Sequence, residues 1–533
     1  MLLQPSLHQS KLSISSTISY SSSFPWRTPN FTPRRALDRS TFPITCSISQ
    51  VHSYGTVDFE RRPLINWNGV YRRISLMENP DLGAGTVLAL CEKEGKKLTK
   101  WELCRVVKEL RKYKRFKQAL EVYDWMGSKG DKFRRSASDA AIQVDLIAKV
   151  HGVSAAEEYF QGVPDTLKDR RIYGALLNAY VKHKEKEKAE MLIDKMRDKN
   201  YATHALPFNV MMTLYMNLKE YDKVDKLIFE MTKKNIQLDM YSYNIWLSSR
   251  GSEGAVEKME QAFEQMKLDR HVTANWTTYS TMATMYLKMG LNEKAEDCLK
   301  KVEGRITGRD RMPYHYLLSL YGNVGKKSEV IRVWNTYKSN FPNIPNLGYH
   351  AVISSLVRLG DIEAAENMYD EWMQIKTSYD PRIANLLMGS YVKDGNFDRA
   401  ESLFHDITEA RAKPNSNSWE ILAEGHVAEK RVSEALSCLK EALDFDSSKR
   451  WKPKPAIVSS FFKLCEEEGD LVSKDVLENL FRQLGFLEDK NYASLIGLSI
   501  SGNEKESNKR DSSSDGNYYE SNEDAEDSEV LLN

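Results

Sequence analysis

The residues best suited to catalysis do not form a known catalytic motif. His183-Lys184-Glu185 has the HxE spacing of zinc deaminases, but that chemistry also needs a PCxxC pair of zinc ligands, which the sequence lacks. The six cysteines include no CxxC pair, which excludes a zinc ribbon and argues against a disulfide framework. HExxH, GxSxG and GxxxxGK[ST] are also absent. The sequence therefore predicts no enzyme, no metal site and no cofactor.

Composition leaves the type of partner open but limits the architecture. Lys and Arg number 76 against 75 Asp and Glu, so the net charge of +1 identifies no partner. A hydrophobic fraction of 41% is enough for a sizeable core. The sequence contains no run of 18 apolar residues, so no transmembrane helix is expected. A chain of 533 residues would form three or four average domains, unless it is a repeat array.

Two kinds of residue recur with a period of 35 or 36 along the middle of the chain. The first is an aromatic residue: Tyr173, Phe208, Tyr243, Tyr279, Tyr314, Tyr349 and, after one skipped unit, Trp419. The second is a small or medium apolar residue sixteen positions later: Ala189, Val224, Met259, Ala295, Val330, Ala365, Ala400 and Ala435. Because the two series stay in phase over eight units, the chain is predicted to be a repeat array.

Each repeat contains two amphipathic helices. Tyr173, Leu176, Leu177 and Tyr180 follow the i, i+3, i+4, i+7 spacing of one helix face, and the stretch 189–196 repeats it. The turn between the two helices carries a glycine in five units: Gly254, Gly290, Gly325, Gly360 and Gly395. A lone hairpin cannot bury its apolar faces, so the pattern predicts an all-α solenoid of about eleven stacked hairpins.

The predicted phase fixes where each repeat begins. Clear units start at residues 170, 205, 240, 276, 311, 346, 381 and 416, and weaker ones fit 100–134, 137–169 and 455–489.

The aromatic at the fourth position and the closing Asp or Asn of several units resemble the pentatricopeptide repeat family. The best examples are PFNVMMTLYMNLKEYDKVDKLIFEMTKKNIQLD (207–239) and PRIANLLMGSYVKDGNFDRAESLFHDITEARAKPN (381–415). The resemblance covers about residues 100–489. It implies a right-handed superhelix of TPR-like helix-turn-helix repeats that binds single-stranded RNA in plastids or mitochondria, with one base read per repeat.

In this family the fifth and last residues of a repeat read the base. The resemblance assigns that role to Asn209 with Asp239, Asn244 with Asn275, Ser280 with Asp310, and Asn385 with Asn415. The first pair implies uridine, the two Asn–Asn pairs imply pyrimidines, and the Ser–Asp pair implies guanine. About half of the units, such as the one with His315 and Pro345, carry no legible pair. Asn is also common at helix starts because it caps them, so a structural role stays open for each residue alone.

A row of cations occupies the thirteenth position of six units, near the end of the first helix, and Asn217, Ser252, Asn323 and Ala428 interrupt it. It consists of Lys112, Lys149, Lys182, Lys288, Arg358 and Lys393. In the family this slot faces the RNA backbone, and neutralising about six phosphates predicts a log–log salt slope of about −4. The alternative is that these cations only complement the helix dipole. We assign the aromatic series to the core rather than to base stacking, because it shares a helix face with leucines.

The two ends of the chain are predicted to lie outside the repeats. Residues 1–46 are rich in Ser and Thr and nearly free of acid, which is typical of an organelle transit peptide, with the chloroplast favoured over the mitochondrion. A merely disordered N-terminus is the alternative. Residues 47–99 are predicted to form a helical cap and 100–489 the solenoid. Residues 490–533 are predicted to be a disordered acidic tail, because 501–533 hold ten acidic and three basic side chains.

The leading hypothesis is an organellar protein that binds single-stranded RNA and acts by occupancy in transcript stabilisation, processing, splicing or translation. The alternative is a helical-repeat scaffold that binds proteins, for example on an organellar ribosome. No membrane association is expected, and the sequence predicts no oligomeric state.

Overall fold

The computed structural model describes residues 67–77, 83–308, 310–445, 451–488 and 490–495. The predicted transit peptide and the acidic tail from residue 496 onward lie outside the described residues, as do residues 47–66 of the predicted cap. Within the described ranges every regular element is helical, and none of these helices is long and apolar enough to cross a membrane.

The α-helices are numbered α1 to α25 in chain order. They are Trp67–Ser75, Gly83–Lys93, Lys100–Lys112, Phe116–Ser128, Ala137–His151, Val153–Gly162, Arg170–Lys182, Lys186–Asp198, Ala205–Asn217, Tyr221–Lys233, Met240–Ser252, Val256–Leu268, Trp276–Lys288, Asn292–Glu303, Met312–Val324, Lys327–Asn340, Asn346–Arg358, Ile362–Ile375, Pro381–Lys393, Phe397–Glu409, Ser416–Ala428, Val432–Phe445, Pro455–Glu468, Leu471–Gln483 and Lys490–Leu495.

Eleven helical hairpins run from α3 to α24, which confirms the predicted all-α repeat architecture. The odd-numbered helix of each pair is called the first helix, and the even-numbered one the second helix. Ten of the first helices begin at the predicted residue, and only α15 starts one residue later, at Met312. The weaker units also begin as predicted, at Lys100, Ala137 and Pro455.

Local sequence explains where the helices begin and end. Several first helices start after a side chain that caps the free backbone N–H groups, as Asp239 and Asn415 do for Ser242 and Ser418. Several first helices end at a left-handed turn, which glycine adopts at least cost; Gly325 has a φ of 84°. These short caps and turns keep the hairpins in register.

The first helices form a continuous row. Each packs against the first helix of the next repeat from α5 to α23, and most second helices also contact the following first helix. As predicted, the aromatic series belongs to the core, since Tyr173, Phe208, Tyr243, Tyr279, Tyr314 and Tyr349 are buried and only Trp419 is half-buried. The fifth and thirteenth residues of the first helices therefore recur at regular positions along one row.

The described ends of the repeat array carry additional helices. At the N-terminal end, α1 and α2 pack with α3 and α4 around a hydrophobic cluster that includes Ile74 and Leu103. At the other end, Tyr492 of α25 is buried against Phe481 and Phe486. The fold therefore continues past residue 489, where the sequence analysis places the start of the tail, because Tyr492 covers the apolar end of the last hairpin.

Candidate nucleic-acid interface

The fifth and last residues of the repeat that begins at Ala205 meet at the junction with the next repeat. Asn209, on α9, donates its side-chain N–H to both carboxylate oxygens of Asp239 at 3.1 and 3.2 Å. Asp239 caps α11 by accepting the backbone N–H of Ser242 at 2.7 Å. The Ser242 hydroxyl lies 2.7 Å from Asn209 Oδ1, which completes a closed network of three polar side chains.

The same network recurs five repeats further along the chain, between α19 and α21. Asn385 donates to Asn415 Oδ1 at 3.1 Å, and the Ser418 hydroxyl donates to Asn385 Oδ1 at 2.8 Å. Asn415 caps α21 through the backbone N–H of Ser418 at 2.9 Å. The structure thus brings together two of the four predicted pairs by direct hydrogen bonds.

The other two predicted pairs are arranged differently. Asn244 donates to the hydroxyl of Thr277 at 3.3 Å, and Thr277 in turn donates to Asn275, which caps α13. Asn244 Oδ1 has no hydrogen-bond partner among the described residues. Ser280 and Asp310 share no direct bond there, since Asp310 accepts the backbone N–H of Met312 at 3.0 Å and Ser280 Oγ is unpartnered.

In three of the four pairs the fifth residue is more deeply buried than the last residue. Asn209, Ser280 and Asn244 are only 1%, 3% and 6% exposed. Asp239 is exposed, and Asn275, Asp310, Asn385 and Asn415 are half-buried. In the free protein, a ligand at these junctions therefore meets the last residue of most pairs first, and reaches the buried fifth residues only if neighbouring side chains move.

The units without a legible pair use the same two positions for internal contacts. Glu420 is buried and accepts the backbone N–H of Lys454 at 2.6 Å, and burial raises the pKa of the Glu420 carboxyl. His315 is buried beside Tyr337, with its Nε2 2.9 Å from the phenol oxygen. Burial lowers the pKa of His315 to about 3, so this imidazole is neutral at physiological pH.

Five of the six predicted phosphate contacts are exposed at the C-terminal ends of first helices: Lys112, Lys182, Lys288, Arg358 and Lys393. Within the described ranges, Lys182, Lys288 and Lys393 form no ion pair, and Arg358 donates to the uncharged side chain of Asn323. The fifth and thirteenth residues of one helix are separated by about 12 Å along its axis, at 1.5 Å per residue. Two first helices, α13 and α19, carry both an exposed cation and the fifth residue of a predicted pair, namely Lys288 with Ser280 and Lys393 with Asn385.

Lys149 departs from the expectation for this row. Its ammonium lies 3.0 Å from the buried carboxylate of Asp145, which also binds Arg111 at 3.2 Å, and it sits 4.4 Å above the ring of Phe116. Burial lowers the pKa of Lys149, against the attraction of Asp145. The ammonium is therefore occupied by an internal ion pair, and we exclude it from the proposed phosphate contacts.

Sequence reasoning missed Ser242 and Ser418, which occupy the third position of their helices and hold the fifth residue of the preceding repeat. The sequence contains a signal for these serines, because each Ser follows its Asp or Asn cap by three residues and can complete a capping box. A cap was anticipated for the Asn and Asp residues, but the additional bond across the junction depends on how closely adjacent first helices pack.

Two family models that match this chain, and several of its relatives, are described as pentatricopeptide repeat proteins. The chain matches the family described as PPR repeat over residues 171–201, 207–236, 277–305, 349–376 and 383–411, and the family described as pentatricopeptide repeat domain over 226–289. It is 59% identical to the pentatricopeptide repeat-containing protein At1g02150 of Arabidopsis thaliana over 498 residues, which is 93% of this chain and 95% of the relative.

Two further matches differ in what their names describe. The large ribosomal subunit protein mL101 (rPPR4) of Arabidopsis thaliana is 37% identical over 407 residues, 76% of this chain and 81% of that protein. The solved structure of PPR10 from maize matches at 17% identity with a TM-score of 0.40, over 80% of this chain and 65% of that one. PPR10 has also been solved with an 18-nt psaJ RNA element. Several other Arabidopsis relatives are named as mitochondrial.

Proposed function

Because the chain belongs to the pentatricopeptide repeat family, we propose that it binds single-stranded RNA in an organelle and acts on its transcript by occupancy, without catalysis. Occupancy of a single-stranded stretch can block exonucleases or keep a hairpin open, which would serve transcript stabilisation, processing, splicing or translation. The proposal concerns RNA of about five to ten nucleotides with a bias to pyrimidines, at one base per repeat.

The observation that carries this proposal is the polar pair at the junctions between first helices. Asn209 with Asp239 and Asn385 with Asn415 are hydrogen-bonded across equivalent junctions, so each places one acidic or amide group in the same position along the row. Short amide and carboxylate groups offer donors and acceptors to a base edge without filling the space that the base needs.

The exposed cations support a contribution from the RNA backbone. Five exposed Lys and Arg side chains, at about −0.7 per phosphate, give an expected log–log salt slope of about −3.5. The slope is shallower than the sequence alone predicts, because Lys149 is held by Asp145.

The test is a salt titration with the chain starting after residue 46. We expect binding to pyrimidine-rich single-stranded RNA at low salt, with a slope near −3.5, and weaker binding to a duplex of the same sequence. Equal affinity for the two forms, or no binding at low salt, would reject RNA binding by this array.

A second candidate function is a protein-binding scaffold on an organellar ribosome. It is favoured by the similarity to the ribosomal protein mL101 over 76% of the chain, and by the burial of Asn209, Asn244 and Ser280. Affinity purification from isolated plastids or mitochondria separates the two functions. Recovery of the same partners after RNase treatment supports the scaffold, whereas RNase-sensitive recovery supports direct RNA binding.

We propose the chloroplast as the location, on the basis of the Ser- and Thr-rich residues 1–46. The relatives are plant proteins, and several of those named are mitochondrial, so the mitochondrion is the alternative. Import of a fluorescent protein fused behind residues 1–60 decides between the two, and a cytosolic signal would contradict both.

A further inference from the structure

Asp239 and Ser242 together hold the amide of Asn209 in one orientation. Asn209 Oδ1 lies 2.7 Å from the Ser242 hydroxyl, and its nitrogen faces the Asp239 carboxylate. Turning the amide over would place Oδ1 against a carboxylate, which accepts but cannot donate, so the hydrogen bonds from Asn209 to Asp239 would be lost. Because Ser242 and Asn209 are almost completely buried, water cannot replace the lost hydrogen bonds.

The cap in turn determines which atom of the last residue remains available. Asp239 Oδ1 accepts the Ser242 backbone N–H and the Asn209 amide and lies 2.9 Å from the Ser242 hydroxyl, while among the described residues Oδ2 accepts the amide alone, at 3.2 Å. Asp239 is exposed, so this junction presents a carboxylate oxygen, which is a hydrogen-bond acceptor.

The second network presents the opposite polarity. Asn415 Oδ1 accepts the Ser418 backbone N–H at 2.9 Å and the Asn385 amide at 3.1 Å, and it lies 3.0 Å from the Ser418 hydroxyl. With its oxygen committed to the cap, half-buried Asn415 has only its NH₂ group left to present, and this group is a donor. A base with a ring N–H complements the first junction, and a base with a ring-nitrogen acceptor complements the second.

The junction after Asn244 lacks this arrangement. Thr278 is the third residue of α13. Its hydroxyl lies 3.5 Å from Asn275 Oδ1 and forms no hydrogen bond with Asn244. Asn244 donates its nitrogen to Thr277 instead, and its Oδ1 is unpartnered among the described residues. The same residue type at the same slot is thus oriented differently when no serine holds it.

We propose that Ser242 and Ser418 are positioning residues that hold the fifth and last residues of their junctions in one orientation, and so sharpen the choice of pyrimidine at each junction. The hydroxyl acts through the fifth and last residues and does not touch the base. This inference rests on the proposed RNA-binding function. It adds a third residue to the two that the family resemblance assigns at each junction.

The test uses full-length chains carrying Ser242→Ala, Ser242→Thr or Ser249→Ala. Selection from randomised RNA first identifies the preferred sequence, and RNAs differing by U or C at single positions then measure discrimination. In Ser242→Ala, we expect the U/C ratio at one nucleotide to fall by about five- to tenfold, equivalent to one hydrogen bond. The salt slope should not change, and Ser242→Thr should retain the ratio.

Ser249→Ala is the matched control, because Ser249 lies on the same helix, is fully buried and has an unpartnered hydroxyl among the described residues. Ser418→Ala should relax discrimination at a different nucleotide. If Ser242→Ala keeps full discrimination while Asn209→Ala abolishes it, the positioning role is overturned.

A thermal double-mutant cycle between Asn209→Ala and Ser242→Ala gives a readout that needs no RNA. We expect each substitution to lower Tm by less in the presence of the other than it does alone, because the hydrogen bond is already lost. Additive shifts would show that the two side chains are not coupled and would overturn the inference. Coupled shifts in a chain that binds no RNA would instead reject the proposed function and, with it, any role in reading bases.

Discussion

Lys288 and Lys149 occupy the same slot of their repeats but have different surroundings. Lys288 is exposed and forms no ion pair within the described residues. Lys149 is paired with Asp145, which is buried and also binds Arg111. The thirteenth position alone therefore does not decide whether a lysine is available to a phosphate. An acidic residue one helical turn earlier, as Asp145 is for Lys149, makes the lysine unavailable.

Substituting Lys288 is expected to weaken binding to all RNA sequences about equally. Lys288→Ala should lower the magnitude of the salt slope by about 0.7, because one phosphate contact is lost. Lys226→Ala is the matched control, since Lys226 is an exposed lysine on a second helix. A change of base preference in Lys288→Ala, or an equal loss in both variants, would contradict a backbone contact at this slot.

Substituting Lys149 is expected to affect stability instead. Lys149→Ala leaves Asp145 with one fewer partner in a buried setting and should lower the free energy of unfolding by about 1–3 kcal/mol. The salt slope of RNA binding should not change. Urea unfolding and the salt titration measure the two effects separately, and a stable variant with a reduced slope would return Lys149 to the phosphate contacts.

The residue positions could be predicted from the sequence, but their exposure could not. The resemblance to the pentatricopeptide repeat family paired Asn209 with Asp239, and these residues are hydrogen-bonded. Their burial depends on the distance between adjacent first helices and on Ser242, a residue of the next repeat. Period and residue type carry no information about that distance.

Neighbouring repeats are joined by a recurring three-residue clamp, formed by a Glu on one second helix with a Tyr and a cation of the next repeat. In the example between α12 and α14, Glu260 accepts the Tyr286 hydroxyl and the Lys294 ammonium, both at 2.8 Å. Equivalent clamps are Glu190 with Tyr215 and Lys223, Glu303 with Tyr321 and Arg332, and Glu366 with Tyr391 and Arg399. In each clamp the glutamate lies one repeat before its tyrosine and its cation.

The clamps predict that acid weakens the repeat junctions. Hydrogen bonds from Lys294, opposed by burial and assisted by Tyr286, hold the pKa of Glu260 below its usual 4.5. A carboxyl with a lowered folded-state pKa stabilises the fold above the unfolded pKa, and this contribution is lost as pH falls through the lower, folded value. Urea unfolding between pH 6 and 3 should therefore show a shallower acid loss in Glu260→Gln than in the unmodified chain.

Glu264→Gln is the control for this effect, because Glu264 pairs only within its own helix, with Lys267, as far as the described residues show. If Glu264→Gln flattens the acid profile as much as Glu260→Gln does, the clamp is not the source of the pH dependence.

Two glycines inside first helices should respond oppositely to alanine. A Cβ on Gly322 of α15 would lie 2.8 Å from Ser355 Cβ and 3.2 Å from its Cα, so α15 and α17 would have to separate. A Cβ on Gly389 of α19 would meet only Ile421, at 4.0 Å. Alanine favours the helix by about 1 kcal/mol, and overpacking costs about 1–3 kcal/mol.

We therefore expect Gly322→Ala to destabilise the chain by up to about 2 kcal/mol and Gly389→Ala to stabilise it by up to about 1 kcal/mol. Chemical unfolding of the two variants measures both values. Equal shifts of the same sign would mean that the close approach of α15 and α17 does not constrain position 322.

At the scale of the whole molecule, the described hydrophobic core divides into two clusters. One cluster spans α1 to α5 and includes Leu103, and the other continues from α5 to α25 and includes Leu318. Both leucines are fully buried. In repeat arrays each unit contacts only its neighbours, so the free energy of local opening varies along the chain.

The division at α5 predicts two separate unfolding units. Leu103→Ala and Leu318→Ala should each cost about 2–5 kcal/mol, because each leaves a cavity in a close-packed core. Hydrogen exchange followed by mass spectrometry should show faster exchange in α1–α4 for Leu103→Ala and in the helices around α15 for Leu318→Ala, with the other cluster unchanged. Faster exchange throughout the chain in both variants would show that α5 transmits the loss and that the repeats unfold as one cooperative body.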